Sequence, residues 1–351
     1  MVNRNYLWDN IKGFLILTVV IGHLLHSFNC TVDITYNFAY WIYTFHMPAF
    51  LFVSGFWAKS YCNDQGVVKP IKVAYLIGYY VVFQTLFLTI DKLFLNHNKP
   101  ISYFDSMIGL WYLCAMIFYY LVIPIFKKLH PAIGISVTVV LSLLIGCEAE
   151  AGSFMSISRC FVFAPYFFTG YYLSTDSIDR VRSIKNGWVP GIICGTASVS
   201  LWLFADRIFK DTFIAKFGTF TPSLFYGHSS YDKMGFSTLE GFYIRLISYV
   251  ISALMIIALL FITPKCKNIL SHIGKNSLQI YTFHLILILL FIRLKGKDIN
   301  LIVIDREWIG LALVVAGVLL TLLLSTKPFS YPFKWIQTLV NKIFSLTEKT
   351  K

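Results

Sequence analysis

Ten apolar runs, each close to the length of a bilayer-spanning helix, dominate this 351-residue chain. They fall at 11–28, 37–58, 71–90, 108–126, 132–147, 157–173, 188–206, 241–263, 277–293 and 309–325. Crossing the hydrocarbon of a bilayer takes about 20 mostly apolar residues. Backbone groups there have no water to bond, so each segment must satisfy its own, and helices are the expected form. The fifth run is short and the sixth contains Pro165, which softens both boundaries. Composition agrees: 57% hydrophobic and 13% charged side chains, with a mean hydropathy of +0.68, lie outside the range of soluble domains. The chain reads as an all-α polytopic membrane protein of about ten transmembrane helices. The first run ends in "HLLHSFNC", without the small-residue site of a cleavable leader, so it is expected to remain as the first span.

A net charge of +13 would point to nucleic acid in a soluble protein. Here the basic residues collect on one side instead. If the N-terminus is cytoplasmic, the segments 1–12, 59–72, 127–131, 174–187, 264–275 and 326–351 hold 18 of the 30 Lys and Arg. The positive-inside rule then places both termini in the cytoplasm and removes the need for a nucleic-acid partner. Residues 1–326 form the membrane domain. The tail 327–351, with "YPFKWIQTLVNKIFSLTEKTK", reads as an amphipathic helix on the cytoplasmic leaflet, with membrane lipid as its partner. The longest outer segment, about 207–240, is polar and aromatic, and loops of that length are usually functional or mobile. Seven scattered cysteines show no metal-ligand or disulfide spacing and read as small buried residues.

Ionisable groups inside spans are expensive and tend to face a cavity. Lys12 and His23 lie nearly three helical turns apart, so they share one face about 16 Å apart along the axis. Asp9 and His26 fall close to that face, and Gly13 and Gly22 flank it. Asp9 is placed to pair with Lys12. His46 sits at comparable depth in the second run, beside Pro48, which cannot donate to the Thr44 carbonyl and should kink the helix. His284 lies about 12 Å into the ninth run. No carboxylate or thiol accompanies the three histidines, so no metal is expected. Trp111, Tyr112, Arg159, Glu240 and Arg245 lie near the outer ends of their runs. Trp111 also suits an interfacial anchor, whereas an arginine two residues into a span needs an anion, carbonyls or water. Lys69 and Lys72 open the third run, where topology alone would account for them.

Five stretches taken in order resemble the membrane acyltransferase-3 family, in particular its fucose 4-O-acetylase-like branch. They are "YLWDNIKGFLILTVVIGH", "IYTFHMPAFLFVSGF", "GLWYLCAMIF", "SISRCFVFAPYFFTGYYL" and "IGKNSLQIYTFH", running from residue 6 to 284. Lys12 and His23 match the family's basic residue and histidine in the first helix. Lys69 and Lys72 stand where many members carry Arg-x-x-Arg, keeping the charge and losing the planar fork.

The resemblance implies an O-acetyltransferase in a bacterial plasma membrane. It would use acetyl-CoA as donor and a hydroxyl of an extracytoplasmic carbohydrate as acceptor. On that implication Lys12, Lys69, Lys72 and Asp9 form the coenzyme mouth. His23 serves as the general base or a transient acyl carrier, and Arg159, His46 or His284 stabilises the oxyanion. Trp111, Tyr112, Arg245 and Glu240 line the acceptor side. A transporter or flippase for a small solute or lipid-linked glycan shares many of these features, and a sensor or scaffold is the third reading. Absence of a visible internal repeat weighs against transport.

Overall fold

The computed structural model describes residues 6–27, 29–30, 33–63, 65, 67–95, 101–152, 154–184, 186–203, 223–294, 303–304 and 306–349. Each of the ten apolar runs falls on a helix. In chain order the helices are α1 (Leu7–His26), α2 (Asp33–Ala58), α3 (Pro70–Leu95), α4 (Trp111–Phe126), α5 (Pro131–Leu144), α6 (Ile157–Tyr172), α7 (Thr175–Arg182), α8 (Trp188–Leu203), α9 (Ser223–Tyr226), α10 (Thr238–Ile262), α11 (Ile269–Lys275), α12 (Ser277–Leu294), α13 (Glu307–Leu324) and α14 (Tyr331–Lys349). A two-residue parallel pairing joins Asn29–Cys30 to Val303–Ile304. The end of the seventh run and residues 204–222 of the long outer segment lie outside the described residues.

Among the described residues, five helices are individually long and apolar enough to cross a membrane: Leu7–His26, Pro70–Leu93, Ile108–Phe126, Thr238–Ile262 and Glu307–Leu324. The pair α11–α12, bent by 74° at Asn276, makes a sixth when counted together. Pro131–Cys147 and Trp188–Leu201 are shorter apolar helices. Along α13, Leu311, Val315, Leu319 and Leu323 form a stripe between 50% and 65% exposed, which would be a liability in water and is an ordinary surface in lipid. The chain is a multi-pass helical membrane protein.

Two sets of bonds fix the ends of the bundle. At the proximal end, where α1 starts, the Tyr6 amide donates to the Lys265 carbonyl after α10 at 3.1 Å. There too, Tyr172 at the end of α6 donates to the Phe126 carbonyl ending α4 at 2.7 Å. Gln279 near the start of α12 donates to the Leu324 carbonyl ending α13 at 2.8 Å. At the distal end, Thr35 donates to Glu307 at 3.1 Å, and Ser158 donates to the Gly227 carbonyl at 2.8 Å.

Lipid offers no hydrophobic drive for one helix to leave it for another, so close backbone approach has to supply the association. Glycines permit it in reciprocal pairs. A Cβ on Gly55 of α2 would collide with the Phe167 carbonyl of α6, and one on Gly170 with the Phe52 carbonyl of α2. Gly13 meets Leu270 of α11, and Gly274 meets Asp9 of α1, in the same way. α2 therefore docks on α6, and α1 on α11.

Pro48 is accommodated within α2, which runs unbroken from Asp33 to Ala58. The Thr44 carbonyl that the proline cannot serve accepts instead from the Ser252 hydroxyl of α10 at 2.5 Å. A buried unpaired carbonyl would cost about 1–3 kcal/mol, so this bond ties α2 to α10 at the level of His46.

The tail helix α14 is amphipathic on two faces. Phe333, Ile336 and Val340 are buried in a core shared with Tyr79 and Phe83 of α3. Gln337 donates to the Tyr79 hydroxyl and the Tyr75 hydroxyl to Asn341, both at 2.6 Å. Tyr331, Trp335, Leu339, Ile343 and Leu346 remain exposed on the other side. The tail is thus docked along α3 rather than held by a leaflet alone.

Candidate functional site

Three helices each bring an i, i+3 pair of ring side chains to one region: His23 and His26 from α1, Tyr43 and His46 from α2, and Tyr281 and His284 from α12. Positions three apart share a helix face, so each pair points the same way. The His23 ring lies 5.1 Å from that of His284, 6.2 Å from that of His46 and 6.0 Å from that of Tyr43, centroid to centroid.

The hydrogen bonds determine what each neutral imidazole can do. His284 Nδ1 sits 2.8 Å from the Ile280 carbonyl, and a carbonyl only accepts, so Nδ1 carries the hydrogen and Nε2 is a lone pair. That Nε2 lies 2.9 Å from His23 Nδ1, which therefore donates to it. His23 Nε2 is left as a bare lone pair on a ring that lines a cavity. His46 repeats the pattern, its Nδ1 donating to the Ile42 carbonyl at 2.8 Å and leaving Nε2 as an acceptor. Each orienting carbonyl is four residues back on its own helix, so the rings are set by local geometry. Among the described residues no three His, Cys, Asp or Glu side chains form a metal-ligand group.

The cavity beside His23 has a volume of about 740 Å³, and its walls include His26, Tyr43, His46, Trp111, Arg159 and Tyr226. Arg159 Nε donates to the Tyr226 carbonyl at 2.9 Å, and its guanidinium carbon stands 5.3 Å from the centre of the Trp111 ring. This fixes the cation in the wall of the cavity that His23 also lines. The Tyr226 oxygen lies 3.0 Å from His26 Nε2, which links the short helix α9 to α1 across the distal mouth.

Two further cavities continue toward the proximal end. A small one of about 380 Å³ shares Val19, Met47 and Tyr281 with the first. It shares Tyr112 and Leu278 with a third, of about 1370 Å³, whose wall also holds Trp8, Asp9, Lys12 and Tyr61. Met47, Tyr112, Leu278 and Tyr281 thus form a neck between a distal chamber and a proximal vestibule. Tyr281 donates to the Gly109 carbonyl, and the Tyr112 hydroxyl and Ser54 hydroxyl are 2.7 Å apart, so the neck residues are held in place.

The residues expected from sequence divide accordingly. His23, His46, Trp111 and Arg159 line the distal chamber, and His284 lies fully buried behind His23. Asp9 and Lys12 line the vestibule and form an ion pair at 3.1 Å. Tyr112 lines the neck and vestibule rather than the distal chamber. Lys72 Nζ sits 5.2 Å over the Tyr61 ring at the vestibule rim, while Lys69 is exposed and outside the wall.

Two residues fall elsewhere. Glu240 caps α10, its Oε2 accepting from the Ser237 amide at 2.7 Å. Arg245, 1% exposed, lies 5.5 Å from the centre of the Tyr231 ring, with no guanidinium hydrogen bond among the described residues.

Sequence reasoning passed over Tyr43, Met47 and Tyr226 as site residues. An aromatic in so aromatic a chain carries no signal, and only the i, i+3 pairing of Tyr43 with His46 could have raised it. His228, stacked on Tyr226 at 6.0 Å, was missed as well. Burial first, and the Arg159 cation second, hold His228 below the ordinary imidazole value.

A family model described as an acyltransferase domain matches residues 5–326. No curated protein and no solved structure matches the chain.

Proposed function

Since the chain belongs to the acyltransferase-3 family, we propose that it moves an acetyl group from cytoplasmic acetyl-CoA to a carbohydrate hydroxyl on the far side of a bacterial plasma membrane. The resemblance to the fucose 4-O-acetylase-like branch of that family supports this reading. The ten helices that carry the apolar runs are read as spans, and the proximal end with both termini as cytoplasmic. The basic residues of the proximal segments support that orientation.

The coenzyme arm enters through the vestibule beside Lys12, passes the neck and presents its thioester to the distal chamber. The sugar enters from the distal mouth against Trp111 and Tyr226. His23 Nε2 takes the proton of the acceptor hydroxyl as the oxygen attacks the thioester carbonyl carbon. The oxyanion that forms is stabilised by Arg159. Collapse breaks the C–S bond, and the leaving thiolate recovers the proton from the His23 imidazolium, giving the ester and free CoA thiol. His284 keeps His23 in the tautomer the first step requires.

One observation carries this reading: the 2.9 Å bond to His284 engages His23 Nδ1 and leaves a lone pair on Nε2 of this chamber-lining ring, which supports its use as the base. The test is a His23→Ala variant expressed at wild-type level, with acetyl ester measured on surface glycan by mass spectrometry. Loss of the ester is expected, and full retention refutes the assignment.

A further inference from the structure

Two imidazoles with a lone pair on Nε2 line the distal chamber, and the reaction described above uses only one of them. The ring centres of His23 and His46 lie 6.2 Å apart, with the ring planes nearly perpendicular. His46 is held as firmly as the base. Its Nδ1 donates to the Ile42 carbonyl at 2.8 Å, and its ring meets that of Tyr43 edge to face at 4.9 Å. Two residues back, the Ser252 hydroxyl ties the Thr44 carbonyl to α10. The residue is 2% exposed. A ring present only for packing needs no second nitrogen, because an apolar ring of that size escapes the cost of stripping water from it.

The hydrogen bonds narrow what His46 does. It does not orient His23, because the hydrogen on His23 Nδ1 goes to His284. It does not donate to an oxyanion, because its hydrogen sits on Nδ1 and Nε2 has none to give. What Nε2 can do is accept from a group that a ligand brings in. His46 lines the distal chamber and not the neck, whereas Met47 beside it lines both. The ligand on that side of the neck is the acceptor, and its donors are hydroxyls.

We propose that His46 Nε2 accepts a hydrogen bond from the hydroxyl next to the one that is acetylated, so that the acceptor is a sugar with two neighbouring hydroxyls in a gauche relation. The oxygens of such a pair lie about one hydrogen-bond length apart. A bond of about 2.8 Å from each oxygen to an imidazole nitrogen spans rings at this separation. The reacting hydroxyl gives its proton to His23 and becomes the ester oxygen. Its neighbour keeps its O–H bond throughout. Holding both oxygens fixes which hydroxyl meets the thioester carbon. A diaxial pair, or an isolated hydroxyl, engages one imidazole only. The proposal rests on acetyl transfer to a hydroxyl, as inferred above.

The test supplies detergent-purified protein with acetyl-CoA and either cis-1,2-cyclohexanediol or cyclohexanol. Ester is measured by mass spectrometry alongside thiol release. Wild type should prefer the diol by about tenfold in kcat/KM, the worth of one hydrogen bond. In His46→Phe the preference should fall to the ratio of hydroxyl counts, and His46→Gln, whose amide oxygen accepts, should keep part of it. A wild type that uses the diol no better than that ratio overturns the proposal. So does a His46→Phe variant that slows both alcohols equally, since His46 would then act on the reacting hydroxyl. A raised KM for acetyl-CoA in that variant overturns it too, because an amide of the donor arm would then be the group held. A wild type that releases thiol under none of these conditions overturns the acetyl-transfer reading and this proposal with it.

Should the variants fail to fold, diethyl pyrocarbonate, which acylates imidazole lone pairs, reads the same contact on wild type by peptide mapping. The diol should slow labelling of both His23 and His46, cyclohexanol that of His23 alone, and neither that of the exposed His272. Equal protection of His46 by the two alcohols, or none by the diol, overturns the proposal.

Discussion

Replacement of His284 by phenylalanine keeps a flat ring in a site that is 0% exposed and removes the acceptor 2.9 Å from His23 Nδ1. The net worth of such a bond is about 0.5–1.5 kcal/mol, which corresponds to a roughly 2- to 12-fold effect. Its loss also lets His23 adopt the tautomer whose Nε2 carries hydrogen and cannot accept a proton. A fall of about tenfold in kcat is therefore expected, against about 10²–10⁴ for His23→Ala, which removes the base itself.

His284 acts only through His23, so the double variant should be no slower than His23→Ala alone. Thiol release from acetyl-CoA by detergent-purified protein measures all four corners of the cycle, and the KM for the donor should not move. His284→Gln, whose amide oxygen can accept, should recover part of the loss. Independent, multiplying effects in the double variant would refute the tautomer argument.

Arg159→Met removes the cation from the chamber wall and should lower kcat by about 10²–10³, the range for one oxyanion donor. Arg159→Lys should rescue little, because the ammonium cannot reproduce the Nε bond to the Tyr226 carbonyl. Ser252→Ala strands the Thr44 carbonyl beside Pro48 and should destabilise the fold by about 1–3 kcal/mol, read as a lowered melting temperature in detergent. Met47→Trp fills the neck and should depress turnover of acetyl-CoA without lowering the yield of folded protein. Normal turnover in that variant would mean that the donor arm takes another path.

The apolar helices and the first-helix stripe were legible because lipid enforces them. Hydrocarbon tolerates Lys12 and His23 only on a face that meets polar partners, and helical geometry puts both on one face whatever surrounds it. The close approach at Gly13 could be read for the same reason. The break between Lys275 and Ser277 was not, since "IGKNSLQ" has the composition of an ordinary helix entrance.

The partner of His23 lies 261 positions away, a distance at which no local pattern speaks. Glu240 shows the opposite difficulty. Ser237 and Glu240 have the spacing of a capping box, and that local role is where the structure puts the carboxylate. Lys69 and Lys72 were assigned to a coenzyme mouth by the resemblance; in the fold Lys72 stands over Tyr61 at the vestibule rim and Lys69 is exposed outside that wall.

The neck has a consequence for the cell as well as for the reaction. A passage joining both faces of an energised membrane would short-circuit the ion gradient if water filled it throughout. A constriction walled by Met47, Leu278 and the tethered rings of Tyr112 and Tyr281 is narrow and mostly greasy, the kind of place where a water column breaks. On the proposed function, a thin thioester arm would lie across such a seal where hydrated sodium and hydronium would not, and acyl groups would be exported without leaking current.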